Sequence, residues 1–224
     1  MPQLNILSLG RCYLVALECL SVVAILSACG PEPLSLPDQP IDRAATCAIV
    51  AAASARQSTK DVSAPLPLAV HGRIAHYALL AATDGGTYTP ETAGAVSRRM
   101  GDLKEKIADG QWQPLEPACR AAYPTFEKNE RALPADGFEA RLQCSELGEF
   151  LYSALKAHES DYRNEIVGYR NLHLRLDEAL ARPLLAKAGS DLEARRKLRH
   201  DALVAAAALG NPVAVMEQCF RRFG

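Results

Sequence analysis

Hydrophobic residues recur at steps of three and four along most of the chain, and polar or proline-containing segments separate these runs. The clearest run follows Thr89 and consists of Ala93, Val96, Met100, Leu103 and Ile107. Such spacing places the apolar side chains on one face of an α-helix. Thr89 and Pro90 suit the N-cap and the first helical position, so the pattern predicts a helix that begins there and ends before Gly110.

The same pattern predicts further helices on both sides of this one. They cover 42–56, the segment from Pro65 to Asp84, 114–122, the segment after Asp136, the segment from Tyr162 to Pro183, and the segments after Asp191 and Asn211. Polar residues 158–161 predict a break, and Pro183 predicts a kink or an end, because proline lacks the amide hydrogen that a helix interior needs. No run alternates in the manner of a β-strand. The predicted fold class is therefore all-α, a compact bundle of about seven helices.

An apolar segment, residues 12–28, precedes the helical region. The last three residues of this segment and the following Cys29 form the tetrapeptide LSAC at positions 26–29. This tetrapeptide resembles the lipobox of bacterial lipoproteins. The resemblance implies that a signal peptide is cut before Cys29, that the Cys29 thiol is diacylated and that the new amine is acylated. It also implies a membrane-anchored protein facing the periplasm. Gly30, which is not an aspartate, implies the outer membrane if the source is Gram-negative.

Three other interpretations of the N-terminal segment stay open: an uncleaved membrane anchor, a plain secretory signal, or a hydrophobic helix packed on a cytosolic domain. Glu18 interrupts the apolar run, so cleavage and acylation are left undecided. Under the lipoprotein interpretation, residues 1–28 are the signal peptide, 29–40 a proline-rich tether and 41–224 a single helical domain. The prolines of the tether predict an extended, semi-rigid spacer.

Four cysteines follow position 29, namely Cys47, Cys119, Cys144 and Cys219. An even number in an exported domain predicts two disulfides, and four cysteines allow three pairings. Antiparallel packing of the helices that carry Cys119 and Cys144 would favour that pair and leave Cys47 with Cys219. In a reducing compartment the four would instead be buried thiols. Their wide gaps differ from the close ligand pairs of zinc sites, so no metal site is predicted.

Charge and motifs argue against several function classes. The formal net charge is −1 and 23% of the residues are charged, which does not indicate a nucleic-acid partner. The sequence contains no Gly-x-Ser-x-Gly turn, no phosphate-binding loop and no His-Glu-x-x-His motif. We therefore predict no cofactor and single out no catalytic residue.

Two histidine–carboxylate pairs have a helical spacing that lets the side chains meet, His173 with Asp177 and His158 with Asp161. Such pairs arise by chance in charged helices, so no acid–base or metal role is assigned to them. His71 and His76 are five residues apart and do not share a helix face. We interpret each of these two as an ordinary surface or half-buried histidine.

The remaining charged residues are interpreted as solvated helix faces. The carboxylates in question are Glu146, Glu149, Glu159 and Glu165. A basic run consists of Arg195, Arg196, Lys197, Arg199 and His200. The functional alternative for the basic run is contact with anionic lipid headgroups or with cell-wall polymer.

These features together favour a non-enzymatic, lipid-anchored envelope protein that acts as a scaffold or binding protein. Its expected partners are the membrane, through the lipid, and an envelope protein or the cell wall. An envelope enzyme such as a cell-wall hydrolase is the alternative, because carboxylates distant in sequence can meet in the fold. An inhibitor of a secreted enzyme is the third possibility.

Overall fold

The computed structural model describes residues 34–61, 63–108, 110–127 and 131–224. Eight α-helices, named α1 to α8, run over Pro40–Gln57, Leu68–Thr83, Pro90–Ala108, Leu115–Ala122, Gly137–Leu155, Glu159–Ala188, Leu192–Ala207 and Pro212–Phe223 in this described part. Two short 3₁₀-helices cover Pro124–Glu127 and Lys156–His158. The described residues contain no β-strand. The predicted all-α fold class is confirmed.

Helix starts follow the capping residues that the sequence indicates. The Asp136 carboxylate accepts hydrogen bonds from the amides of Phe138 and Glu139, at 2.8 and 2.9 Å. Asp191 and Asn211 cap α7 and α8 in the same way. Each cap satisfies amide groups that have no partner within the first helical turn. The predicted starts of α5, α7 and α8 are therefore confirmed.

The predicted break between α5 and α6 is also confirmed. A 3₁₀-helix separates the two, and Tyr162 departs from helical geometry with φ −134° and ψ 37°. Across the break the helices run back along each other, since His173 hydrogen-bonds to Ser145. A Cβ atom added at Gly148 would lie 3.0 Å from the Tyr169 carbonyl oxygen, so a glycine permits this close packing.

Of the two outcomes predicted at Pro183, a kink or an end, the end does not occur, because α6 continues to Ala188. A proline inside a helix removes one backbone donor. The last turn is nevertheless held by the burial of Leu184, which is 3% exposed, and by the Gly189 amide, which donates to the Leu185 carbonyl at 2.8 Å. Tertiary packing here outweighs the local preference.

Two clusters of buried side chains form the interior of the described residues. The first cluster joins α5, α6, α7 and α8 with residues of α2 and α3 such as Leu79 and Ala93. The second cluster joins α1, α3 and α4 with other residues of α2, among them Tyr77 and Ala78. Helix α2 therefore contributes to both clusters and connects the two halves of the helical bundle.

Each cluster contains one disulfide. Cys47 pairs with Cys119 in the second cluster, and Cys144 pairs with Cys219 in the first. The pairing favoured from the sequence, Cys119 with Cys144 and Cys47 with Cys219, is wrong. Helix α4 packs on α1, whereas α5 packs on α8, so the helices that carry Cys119 and Cys144 belong to different clusters. The prediction of two disulfides is confirmed.

Cys29 and the other residues of the lipobox-like segment lie outside the described residues, so its lipidation stays a prediction. Leu34 and Leu36, which the sequence places in the tether, pack against the second cluster. Within the described ranges no individual helix has the length and apolar character needed to cross a membrane. The pair formed by α7 and α8, bent by 111°, meets those two criteria only when its helices are taken together.

Candidate functional site

A pocket of about 730 Å³ opens between α2, α3, α5 and α7. We call it the apolar pocket, because much of its wall consists of Ile74, Ala78, Ala93, Met100, Phe150 and Leu203. Its volume falls within the range of roughly 300–1,000 Å³ that is usual for small-molecule sites. The helices that form it come from both clusters, so the site depends on the packing of the whole bundle.

A pair of histidines borders the apolar pocket at His71 of α2 and His158 at the α5–α6 break. Their ring centroids are 4.4 Å apart. Burial and the nearby charge of His158 lower the pKa of His71 to about 4. Asp161 lies 3.8 Å from the Nδ1 atom of His158, so the predicted contact of this histidine with Asp161 is present. His71 is therefore neutral at pH 7 and offers hydrogen-bonding groups without a charge.

An ion-pair network borders the apolar pocket on the side of α7. Arg199 of α7 donates to the carboxylates of Glu146 on α5, at 2.5 Å, and of Asp177 on α6. Burial raises the pKa of Glu146, and the positive charge of Arg199 opposes this shift. The network joins three helices. Because Arg199 holds its carboxylate and its side chain is only 16% exposed, Glu146 is not a solvated surface group of the kind interpreted from the sequence.

The predicted meeting of His173 with Asp177 is not formed. The Nδ1 atom of His173 lies 3.0 Å from the carbonyl oxygen of Ser145, and its Nε2 atom lies 3.7 Å from a carboxylate oxygen of Glu149. The carboxylate of Asp177 instead accepts a hydrogen bond from Arg199. Contacts across the α5–α6 interface thus replace the contact within α6 that the spacing allowed.

A second pocket, of about 500 Å³, adjoins the apolar pocket. We call it the basic pocket, because Arg195, Arg196 and Arg199 of α7 line it. Glu146 and His200 line both pockets. The basic run of the sequence is therefore not only a solvated helix face, since part of it forms the wall of a concave site.

The interpretation of His76 as a surface or half-buried histidine is wrong, because this residue is completely buried. Its Nε2 atom lies 2.8 Å from the carbonyl oxygen of Ala207, and its Nδ1 atom has no partner among the described residues. The ring of Phe126 packs against it at 4.9 Å. Burial lowers the pKa of His76 to about 4, so this histidine is neutral when the chain is folded at pH 7.

We expect His76 to make the fold sensitive to acid. The pKa of His76 is about 4 in the folded chain and about 6.5 in the unfolded chain. Below pH 6.5 the unfolded chain therefore binds the proton more readily, and the free energy of unfolding decreases as the pH is lowered. This contribution amounts to about 2 kcal/mol between pH 7 and pH 5. The substitution His76→Gln retains a donor for the Ala207 carbonyl and removes the titration. Urea unfolding at both pH values should therefore show a smaller loss in the variant, and an equal loss would contradict the expectation.

No group of three histidine, cysteine, aspartate or glutamate side chains within the described ranges is arranged to hold a metal ion. Comparison with protein-family models, with curated proteins and with solved structures gave no match. The function must therefore be argued from the chemistry of the pockets.

Sequence reasoning named several of these residues but did not place them together. Glu146 and Arg199 are 53 residues apart in the sequence, and His71 and His158 lie on helices that belong to different parts of the chain. Helical spacing relates only residues within a few turns of one helix. The basic run near Arg195 was the one local signal, and nothing in it indicated a neighbouring apolar pocket.

Proposed function

We propose that this chain is a lipid-anchored envelope protein, attached through Cys29, whose helical domain binds a ligand or partner without transforming it. The observation that carries the proposal is that all four cysteines after Cys29 are paired as two disulfides. Disulfides form and persist in exported proteins and are rare in a reducing cytosol. The paired cysteines therefore support export, which the lipobox-like segment also implies.

The character of the apolar pocket supports binding as the activity. Hydrolysis of a glycosidic bond normally uses two carboxylates that flank the bond. Here Glu146 and Glu149 lie on the same helix, α5, and Arg199 holds Glu146 in an ion pair. A concave, mostly apolar wall with a few polar groups at its edges is typical of a site that holds a ligand.

The substitution Cys29→Ser tests the anchor. We expect cells that express the wild-type chain to incorporate labelled palmitate into it. We expect the variant to lose this label completely, because it lacks the thiol that is diacylated, and the amine is acylated only after that step and signal removal. Globomycin should block signal removal in the wild type. The label is measured by gel electrophoresis after immunoprecipitation, and membrane fractionation reports the attachment.

The matched control is Cys19→Ser, which removes a cysteine that the proposal places in the signal peptide. This variant should keep its label. An unlabelled wild-type chain, or a chain recovered from the cytosolic fraction with all four later cysteines free to alkylate, would refute the proposal.

A cell-wall hydrolase is the second candidate, favoured by the position of Glu146 at the edge of the apolar pocket and by the burial that raises its pKa, because a general acid needs a carboxyl group whose pKa is raised. Incubation of the chain with purified peptidoglycan distinguishes the two. We expect no soluble fragments, whereas fragments that disappear in Glu146→Gln would establish the hydrolase.

A further inference from the structure

We propose that the apolar pocket and the basic pocket together bind a single-chain anionic amphiphile. Its alkyl chain occupies the apolar pocket, and its phosphate or carboxylate head contacts Arg195 and Arg196. The inference rests on the proposed binding function and specifies the chemistry of the ligand.

The two pockets adjoin each other, as one ligand that occupies both requires. Glu146 of α5 and His200 of α7 line both of them, so the two volumes meet at these two side chains. The apolar pocket measures about 730 Å³ and the basic pocket about 500 Å³. An apolar volume beside a smaller charged one matches a molecule with a long alkyl chain and a compact head.

The charges of the basic pocket favour an anion. Arg199 is committed to Glu146 and Asp177, whereas neither Arg195 nor Arg196 has a carboxylate partner among the described residues. The guanidinium of Arg195 contacts only backbone carbonyls, those of Ser190 and Asp191, at 3.4 Å. A guanidinium without a carboxylate partner can donate two parallel hydrogen bonds to a phosphate or carboxylate.

The apolar side chains near these arginines favour an amphiphile over a simple anion. Leu192 lines the basic pocket and is 73% exposed, which is high for a leucine beside a concave site. In the larger pocket, Ile74 and Met100 are half-buried and add apolar surface that water reaches. An alkyl chain that covered these side chains would remove apolar surface from water. Inorganic phosphate would leave that surface exposed.

The test uses the full chain in phosphatidylcholine nanodiscs and dodecyl phosphate that carries a photoreactive diazirine on its alkyl chain. We expect cross-links in peptides from α3 and α5, displaced by unlabelled dodecyl phosphate but not by inorganic phosphate or by neutral dodecyl maltoside. Dodecanoate is the parallel competitor. Stronger competition by the phosphate identifies a lysophospholipid-like ligand, stronger competition by the carboxylate identifies a fatty acid, and either result supports the inference.

Two substitutions examine the two parts of the site. The double variant Arg195→Gln with Arg196→Gln should reduce cross-linking by about tenfold, because it removes both charge-assisted contacts. The matched control is Arg182→Gln, which removes an exposed charge of α6 outside both pockets and should have no effect. Ala154→Phe places a large side chain in the apolar pocket and should also abolish the cross-links.

For Ala154→Phe the matched control is Ala205→Phe, at an exposed position of α7 that lines neither pocket. Circular dichroism reports whether each variant is folded. Cross-links that are spread over the surface, or that are unchanged in the double arginine variant, would overturn the inference. The outcome is independent of the palmitate test, because a wild-type chain that gave specific cross-links but carried no palmitate label would refute only the anchor.

Discussion

Replacing Cys144 and Cys219 together with alanine is expected to lower the free energy of unfolding by about 4 kcal/mol. The two cysteines are 75 residues apart in the sequence, and both are completely buried. The disulfide restricts the unfolded chain, and its loss returns the entropy of that long segment to the unfolded state. Guanidinium unfolding of the wild type and the variant, both under non-reducing conditions, measures the difference.

The matched variant replaces Cys47 and Cys119, which are separated by 72 residues and should therefore cost a similar amount. The two variants should differ in which helices lose protection from hydrogen exchange. Hydrogen exchange should accelerate chiefly in α5 and α8 when the Cys144–Cys219 bridge is absent, and chiefly in α1 and α4 when the other bridge is absent. A digest without reductant that yields a peptide joining Cys119 to Cys144 would contradict the pairing itself.

Gly72→Ala is expected to destabilise the fold by about 2 kcal/mol, as overpacking of a close contact does. A Cβ atom at this position of α2 would lie 2.5 Å from Oδ1 of Asn211 and 2.6 Å from Cγ2 of Val213. Asn211 also accepts the amide of Val213 as the cap of α8, and its Nδ2 donates to the Ala69 carbonyl at 2.9 Å. The alanine methyl would therefore force α2 and the start of α8 apart.

The control for Gly72→Ala is Gly101→Ala, in the exposed part of α3, where a Cβ atom would meet nothing within 4 Å. Alanine has the higher helix propensity, so this variant should gain up to about 1 kcal/mol. Thermal unfolding of both variants measures the contrast. A gain at Gly72 as well would show that α2 and α8 do not approach so closely.

The helices themselves could be predicted because their signals are local. The steps of three and four after Thr89, the carboxylate of Asp136 and the asparagine before Pro212 each act on residues within one or two helical turns. Pro183 was the exception. There the local preference opposed the burial of Leu184, and only the neighbouring helices decide which of the two prevails.

The candidate site could be predicted only in fragments. His71, His158, Glu146 and the basic run were all noted, yet the two pockets form where α2, α3, α5, α6 and α7 meet. The ion pair of Arg199 with Glu146 depends on the angle between helices, which spacing along one helix does not specify. The complete burial of His76 was missed for the same reason.

The sequence by itself determined that this chain is helical, where most of its helices begin, and that its later cysteines are even in number. The tertiary structure alone decided which cysteines pair, which histidine is buried and that an apolar pocket adjoins a basic one. The physical reason is the distance along the sequence over which the deciding interactions act. Helix formation and capping depend on neighbours a few residues away, whereas pairing and pocket formation depend on which helices pack together, and that choice is made by the burial of many side chains at once.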